Sequence, residues 1–240
     1  MVLKAKYLLN NGTGIIAKDS SDNKIDLTNQ CTTCDGWSVD VSNNGNNYSY
    51  KFTGTTDDYF YADISDWESD FTLALWVKYN GNTGYVFSTG DDPEDSFTIY
   101  NDGTDWIIDS IYNNVTHSYT IGTVQLDTWQ HIAVTKTSST LITYLDNVAT
   151  THTTSGESFH FKKYILGRGR TDSFFNGFAD SLWIYNEVLS SDQIGYLFNF
   201  NDPSATSIED MVLNILQDEI VAFDEKIKSK LVTLLQDNNI

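Results

Sequence analysis

Only two prolines, Pro93 and Pro203, and two cysteines, Cys31 and Cys34, occur in 240 residues, and Lys plus Arg number 14 against 33 Asp plus Glu. With so little proline, chain reversals fall to Asn-Gly and Asp-Gly pairs, which tolerate the backbone of tight turns. Such pairs occur at Asn11-Gly12, Asn44-Gly45, Asn80-Gly81, Asp102-Gly103 and Asn176-Gly177. The cysteines make a single C-x-x-C. A zinc site takes four ligands, and His117, His131, His152 and His160 lie far from the pair in sequence, so zinc is not expected. No βαβ pattern surrounds the pair to suggest a thioredoxin-type centre, which leaves a local disulfide or two inert thiols. The shortage of cations gives a formal net charge of −19. That charge repels phosphate backbones and anionic lipid, so no nucleic acid partner is expected. No run approaches the roughly 18 apolar residues of a membrane helix, so membrane insertion is not expected either. The opening residues, MVLKAK, show no apolar signal core, which predicts no classical secretion. Also missing are G-x-S-x-G, H-E-x-x-H and a Gly-rich phosphate loop.

What is present is 40% hydrophobic and 14% aromatic residues, enough for a large core. From residue 3 to about 186, short β-branched and aromatic runs alternate with Asn, Asp, Gly, Ser and Thr. In residues 130–137 (QHIAVTKT), Ile132 and Val134 face one way while His131, Ala133 and Thr135 face the other. Similar runs at 49–53, 57–63, 71–79, 83–88, 96–100, 140–146, 162–166 and 174–185 predict an all-β antiparallel sandwich or barrel. Residues 189–199 read as a short helix started by Ser190 or Ser191. The composition changes after Pro203, which divides the chain into a β domain at 1–200 and a C-terminal helix within 201–240. Thr206 and Glu209 form a capping box, and Leu213, Ile220, Ile227 and Leu234 then recur every seventh residue with Leu216 and Phe223 between them. This seam predicts a coiled coil, with a homo-oligomer (a trimer favoured) as the leading expectation. Docking on another protein, such as a capsid or surface component, and packing on the chain's own domain are the alternatives. Core positions are expected at Phe52, Phe71, Trp76, Trp129, Tyr144 and Ile184, between two sheets. Trp37, Trp67, Trp106 and Tyr112 sit in polar, turn-rich surroundings and are expected exposed, where aromatic rings beside amides and carboxylates suit glycan binding.

Several segments taken in order resemble the laminin-G-like (concanavalin A-like) jelly roll. Tyr7 with residues 19–23 (DSSDN) resembles its first strand and turn, and residues 52–60 (FTGTTDDYF) its F-D-G-x-x-D-Y pair. Residues 71–77 (FTLALWV) resemble F-T-I-S-A-W-V, and residues 128–135 (TWQHIAVT) with 140–146 resemble W-H-H-V-A-V-T and L-Y-V-D-G. Residues 175–186 (FNGFADSLWIYN) with Leu189-Ser190 resemble the closing strand and helix. The resemblance covers residues 5–198 and implies two stacked antiparallel sheets.

It also implies where to look for chemistry. Laminarinase-type relatives carry E-x-D-x-x-E on one strand, whereas Glu68 and Asp70 here lack the third carboxylate, so no catalytic residue is expected. Residues 91–95 (DDPED) read as a solvated loop. Relatives hold a structural Ca²⁺ with the closing-strand Asp and backbone carbonyls from the first strand. The matching residues are Asp180, with carbonyl candidates at Asn10 and Asn11, although Ser181 stands where the family has a second Asp. Asp19, Asp22, Asp57 and Asp58 read first as turn formers. Asn11, Asn47 and Asn114 fit the glycosylation sequon, a pattern so Asn- and Thr-rich a chain supplies by chance. Arg168 and Arg170 suit pairing with nearby carboxylates or an acidic ligand. Together these features predict a non-catalytic recognition or decoration module on a particle surface. The expected setting is a phage-like virion or otherwise extracellular, with a cell-surface glycan as the possible ligand. A non-classically exported surface lectin or adhesin and a divergent glycoside hydrolase are the alternatives.

Overall fold

The computed structural model describes residues 3–42, 46–68, 70–90, 96–154, 156–157, 159–170 and 173–200. These belong to one unit, Met1–Asn201. The heptad positions Leu213, Leu216, Ile220, Phe223, Ile227 and Leu234, and the loop at 91–95, lie outside the described residues.

The described residues form sixteen strands and a helix. In chain order the strands are β1 (Leu3–Tyr7), β2 (Ile16–Ala17), β3 (Leu27–Asn29), β4 (Trp37–Ser38), β5 (Ser49–Thr53), β6 (Phe60–Glu68), β7 (Phe71–Asn82) and β8 (Gly84–Ser88). They continue as β9 (Ser96–Asn101), β10 (Asp105–Tyr112), β11 (Val115–Thr123), β12 (Trp129–Lys136), β13 (Thr140–Leu145), β14 (Val148–Thr153), β15 (His160–Leu166) and β16 (Asn176–Tyr185). Helix α1 spans Ser191–Phe200. The first sheet runs β14-β13-β12-β7-β16-β5-β4 with β1 also on β16, and the second runs β11-β10-β9-β8-β15-β6-β3-β2. The ladders are antiparallel, and the two sheets stack as the sandwich that the alternation predicts.

The space between the sheets is filled largely by aromatic rings. Phe71 lies 5.6 Å from Phe97 and 5.0 Å from Phe161, and Tyr50 lies 4.6 Å from Phe60. Phe52, Phe71 and Ile184 are in this core as expected. Trp76, Trp129 and Tyr144 are not, because they share strand parity with His131 and Ala133 and point to the outer face of the first sheet. Tyr144 packs there with Ala74, Ala133 and Trp183 beneath Leu189, Ile194 and Leu197. Trp76 stacks on Phe198 at 5.5 Å, and half-buried Trp129 donates its indole N–H to Asp40 at 3.1 Å. β7 is thus covered on both faces, which explains its unbroken apolar run.

Ser190 caps α1. Its hydroxyl accepts the Gln193 amide at 3.3 Å while its own amide donates to the Gln193 side chain at 2.8 Å, a reciprocal capping box. Thr72 pins the approach to the helix, donating to the Glu187 carbonyl at 2.8 Å and accepting the Leu189 amide at 2.9 Å.

Two of the Asn-Gly pairs are not turns. Asn80-Gly81 lies inside β7, and Asn176-Gly177 opens β16, where a Cβ on Gly177 would meet the Lys78 carbonyl at 2.3 Å. The hairpin reversals of β10–β11 and β13–β14 use Asn113-Asn114 (φ 51° and 61°) and Asp146-Asn147 (φ 49° and 65°) instead. Cys31 and Cys34 are joined as a disulfide.

Candidate functional site

Among the described residues helix α1 covers part of the first sheet, and no helix covers the outer face of the second. On its strands the inward residues are Phe60, Tyr164, Leu166, Ile99, Trp106 and Ile108, and the alternate positions point outward. Those outward positions carry a row of half-buried rings. Tyr61 pairs across to Ile165, and Tyr59, one residue before β6, lies 6.1 Å from it. Phe174 continues the row 6.2 Å from Tyr59, and its backbone bridges to both Tyr85 and Arg168. Tyr85 and Tyr100 face each other across β8 and β9 at 4.9 Å. A Cβ on Gly169 would lie 2.2 Å from the Tyr85 ring, so glycine lets the backbone lie flat against it.

Polar groups accompany the row. The Arg168 guanidinium sits 4.9 Å from the centre of the Tyr59 ring, and Lys163 stands opposite Asp63 with its ammonium 3.5 Å from the carboxylate. Tyr59, Tyr61, Gln30, Lys163, Ile165 and Arg168 line a shallow cleft of about 190 Å³. At the other end, Asp109 accepts the Ser118 hydroxyl at 2.6 Å and the Tyr100 phenol at 3.5 Å. Burial and the neighbouring Asp109 push the Tyr100 phenol up to about 12, so it stays protonated at neutral pH and can donate a hydrogen bond. Flat rings with donors and acceptors at their edges can hold a ligand that has both C–H faces and hydroxyls.

The four aromatic residues named from sequence stand elsewhere. Trp106 is buried between the sheets and donates its N–H to Gln130 at 3.0 Å, so the expectation of exposure fails for it. Its strand parity, which turns Asp105 and Ile107 away from the core, decides this against its polar neighbours. Trp37 gives its N–H to the Gly14 carbonyl at 2.7 Å and packs edge-on against Tyr50 at 5.2 Å. Trp67 stacks on Phe161 at 4.0 Å, and Tyr112 stands at the tip of the β10–β11 hairpin. None of the four joins the tyrosine row. The row escaped the sequence reading because its tyrosines are spread over three separate strand regions, with no common motif.

Glu68 and Asp70 flank the β6–β7 reversal. They share a cleft of about 180 Å³ with Glu157 and Lys136. Its groups are already engaged: Tyr119 donates to Glu157, Lys136 to the Thr137 carbonyl, and His160 lies 3.4 Å from Glu68. Asp58 and Asp19 act as turn and loop braces. Asp58 accepts the Thr53 amide at 2.8 Å and hydroxyl at 2.9 Å, and Asp19 accepts amides from Lys6, Ser21 and Ile25 at 2.8–3.0 Å.

The side chains of the residues implied as calcium ligands bond within the chain. Asp180 is fully buried and accepts the Ser42 amide at 3.3 Å, the Ser42 hydroxyl at 3.0 Å and the Asn46 side-chain amide at 2.7 Å. The Asn10 side chain accepts the Asn47 and Tyr48 amides at 3.0 and 3.1 Å, and the Asn11 side chain accepts the Lys18 amide at 3.2 Å. The carbonyl that shares Asn46 with Asp180 is that of Leu8, the residue after β1, at 2.8 Å. A lone carboxylate facing amide and hydroxyl donors does not fit a hard divalent cation, which takes six to eight oxygens at about 2.3–2.6 Å. Among the described residues no group of three or more His, Cys, Asp or Glu side chains could hold a metal.

A family model described as the concanavalin A-like lectin/glucanases superfamily matches residues 53–195. No curated protein matches the sequence. Domain 4 of AbnA, a GH43 extracellular arabinanase from Geobacillus stearothermophilus solved with arabinotriose, is a similar structure. Its TM-score is 0.61 at 20% identity, over 82% of this chain and 98% of that one. The receptor binding domain of botulinum neurotoxin type G gives a TM-score of 0.65 at 13% identity, over 82% and 51% of the two chains. The ligand binding domain of botulinum neurotoxin serotype D, solved with N-acetylneuraminic acid, gives 0.64 at 9%, over 82% and 50%. The chain therefore spans about half the length of these neurotoxin domains, and at these identities the likeness is one of fold.

Proposed function

The chain belongs to the concanavalin A-like lectin/glucanases superfamily, and from that premise we propose that it is a non-catalytic glycan-binding module whose contact surface is the tyrosine row. The observation that carries this reading is the run of half-exposed rings at Tyr61, Tyr59, Phe174, Tyr85 and Tyr100 on a sheet face that no described helix covers, flanked by Arg168, Lys163, Gln30 and Asp109. Ring faces pack on sugar C–H groups while amides, phenols and charged groups take the hydroxyls. The carbohydrates in two of the similar structures, arabinotriose and N-acetylneuraminic acid, support the ligand class.

The cleft of about 190 Å³ is smaller than the ~300–1,000 Å³ of enclosed small-molecule sites, so single-site affinity is weak. Several copies on one particle would compensate, since linked weak sites gain avidity without new contacts. The seven-residue seam from Leu213 to Leu234 supplies the means, as a homo-oligomer (a trimer favoured) or as an anchor on a capsid or surface protein. In this reading the module decorates a particle surface, as a phage-like decoration, fibre or spike protein, and the −19 charge keeps such particles dispersed.

The test is a glycan array on the full-length chain, followed by calorimetric titration of the retained sugar. Tyr61→Ala and Tyr85→Ala should each weaken binding by roughly five-fold or more, the worth of about 1 kcal/mol per aromatic contact, while Tyr112→Ala leaves it unchanged. No glycan retained at millimolar concentration, or affinity indifferent to both tyrosines, would overturn the assignment.

A further inference from the structure

β16 changes neighbours halfway along one edge. Residues Asn176–Ala179 pair with β5, and residues Leu182–Tyr185 pair with β1. Asp180 and Ser181 fall at the joint. There the register against β7 slips between Asp180 and Trp183, and Ser181 takes a left-handed backbone at φ 49°. Both side chains are fully buried. A bulge of this kind aims oxygens from different segments at one point. The point is held by a nitrogen: Nδ2 of Asn46 lies 2.8 Å from the Leu8 carbonyl, 2.7 Å from Oδ1 of Asp180 and 2.9 Å from Oγ of Ser181.

We infer that the Asn46 amide stands in this chain where a cation would stand among those oxygens, so that the joint is closed by hydrogen bonds and its stability is independent of calcium. The orientation of the amide follows from its neighbours. The Leu8 carbonyl and the Asp180 carboxylate can only accept, and an amide NH₂ has two hydrogens to give them. The Ser181 hydroxyl lies 3.2 Å from Oδ1 of Asp180 and turns its own hydrogen there. An amide oxygen at the same point would face two acceptors with no hydrogen between them. The other carboxylate oxygen, Oδ2, takes the Ser42 amide and hydroxyl. One negative charge met by donors from Ser42, Asn46 and Ser181 is a charge-assisted network, in which the donors supply what a metal would otherwise supply. It also ties together β1, the segment before β5 and the closing strand. This inference is independent of the glycan reading.

The experiment is thermal melting of the full-length chain in EDTA and in millimolar calcium, with equilibrium dialysis of calcium alongside. The wild type should melt at the same temperature in both and bind no calcium at this joint. Asn46→Asp puts a second carboxylate beside Asp180, the Leu8 carbonyl and the Ser181 hydroxyl. It should lose roughly 5–10 °C in EDTA and recover most of it with calcium. Should that variant fail to fold even with calcium, dialysis on the wild type and on Asp180→Asn decides. Calcium bound by the wild type and lost in Asp180→Asn would overturn the inference, as would a wild-type melting temperature that falls in EDTA. An Asn46→Asp variant that folds but ignores calcium would show that the amide does not occupy a cation position.

Discussion

The histidine beneath α1 gives a direct test of the packing on the outer face of the first sheet. His131 lies between the rings of Trp76 at 5.1 Å and Phe198 at 5.8 Å. It is 1% exposed, and its Nδ1 has no hydrogen-bond partner among the described residues. Burial pushes its pKa down to about 3, against about 6.5 in an unfolded chain. The folded pKa of this base is depressed, so the neutral ring favours the folded state. That contribution is fully present above pH ~6.5, and it declines as pH falls from there towards 3 because only the unfolded chain takes up the proton. The loss is about 1.4 kcal/mol per pH unit, or about 3 kcal/mol between pH 7 and 4.5, equivalent to roughly 6–12 °C in melting temperature for a domain of this size. Carboxylates titrate too. Asp26, Asp40 and Asp102 are held below the usual range, so the stability they add is lost only at lower pH, and Asp146, pushed up by burial, acts in the opposite sense. His131→Leu keeps similar volume and removes only the imidazole titration, so the two proteins should be compared by denaturant unfolding from pH 7 to 4.5. The wild type should lose about 3 kcal/mol more than the variant over that range. Parallel stability curves would refute the placement of a neutral, buried imidazole under the helix.

Two further outcomes follow from the fold and the site. Gly169→Ala should push the Tyr85 ring off the row, since the new Cβ would start 2.2 Å from it; glycan affinity should fall several-fold while the melting temperature moves by only a few degrees, as read by titration and calorimetry. On the coiled-coil proposal, deleting residues 204–240 should leave a monomer by light-scattering mass, and an unchanged number of chains per particle would remove the seam from Leu213 to Leu234 as the means of association.

The sandwich was legible in the sequence because its strands alternate and its motif segments come in order. β5, β9 and β13 fall within a residue of the runs that predicted them. What escaped was β10, whose Trp106 and Tyr112 stand among polar turn residues in the sequence, together with β11 and β14. β11 and β14 are polar strands on sheet edges, with little hydrophobic signal. The reversals that lead into them, Asn113-Asn114 and Asp146-Asn147, put Asn and Asp into left-handed backbone without any glycine. A search for Asn-Gly pairs finds the commonest chemistry for such turns but not every residue pair that tolerates it.

The site was harder to read for a reason of parity. A strand shows which residues share a face, but not which face meets the other sheet, and a helix over one sheet makes both faces apolar. That ambiguity is why alternation alone places Trp76 and Tyr144 in the inter-sheet core, whereas they lie under α1. Among the described residues the second sheet has no such cover, and its outward positions keep the ordinary alternation, as in β10, where Ile107 and Asp109 alternate with buried Trp106, Ile108 and Ser110. An aromatic ring at an outward position of an uncovered strand contributes little to the core and calls for another role. Tyr59, Tyr61, Tyr85 and Tyr100 meet that condition together. Their meeting depends on strand order, because β6, β8 and β9 are brought side by side through β15, which is nearly sixty residues further along the chain from β9. Local pattern reports which residues face the same way, and only the long-range pairing reports which of them become neighbours.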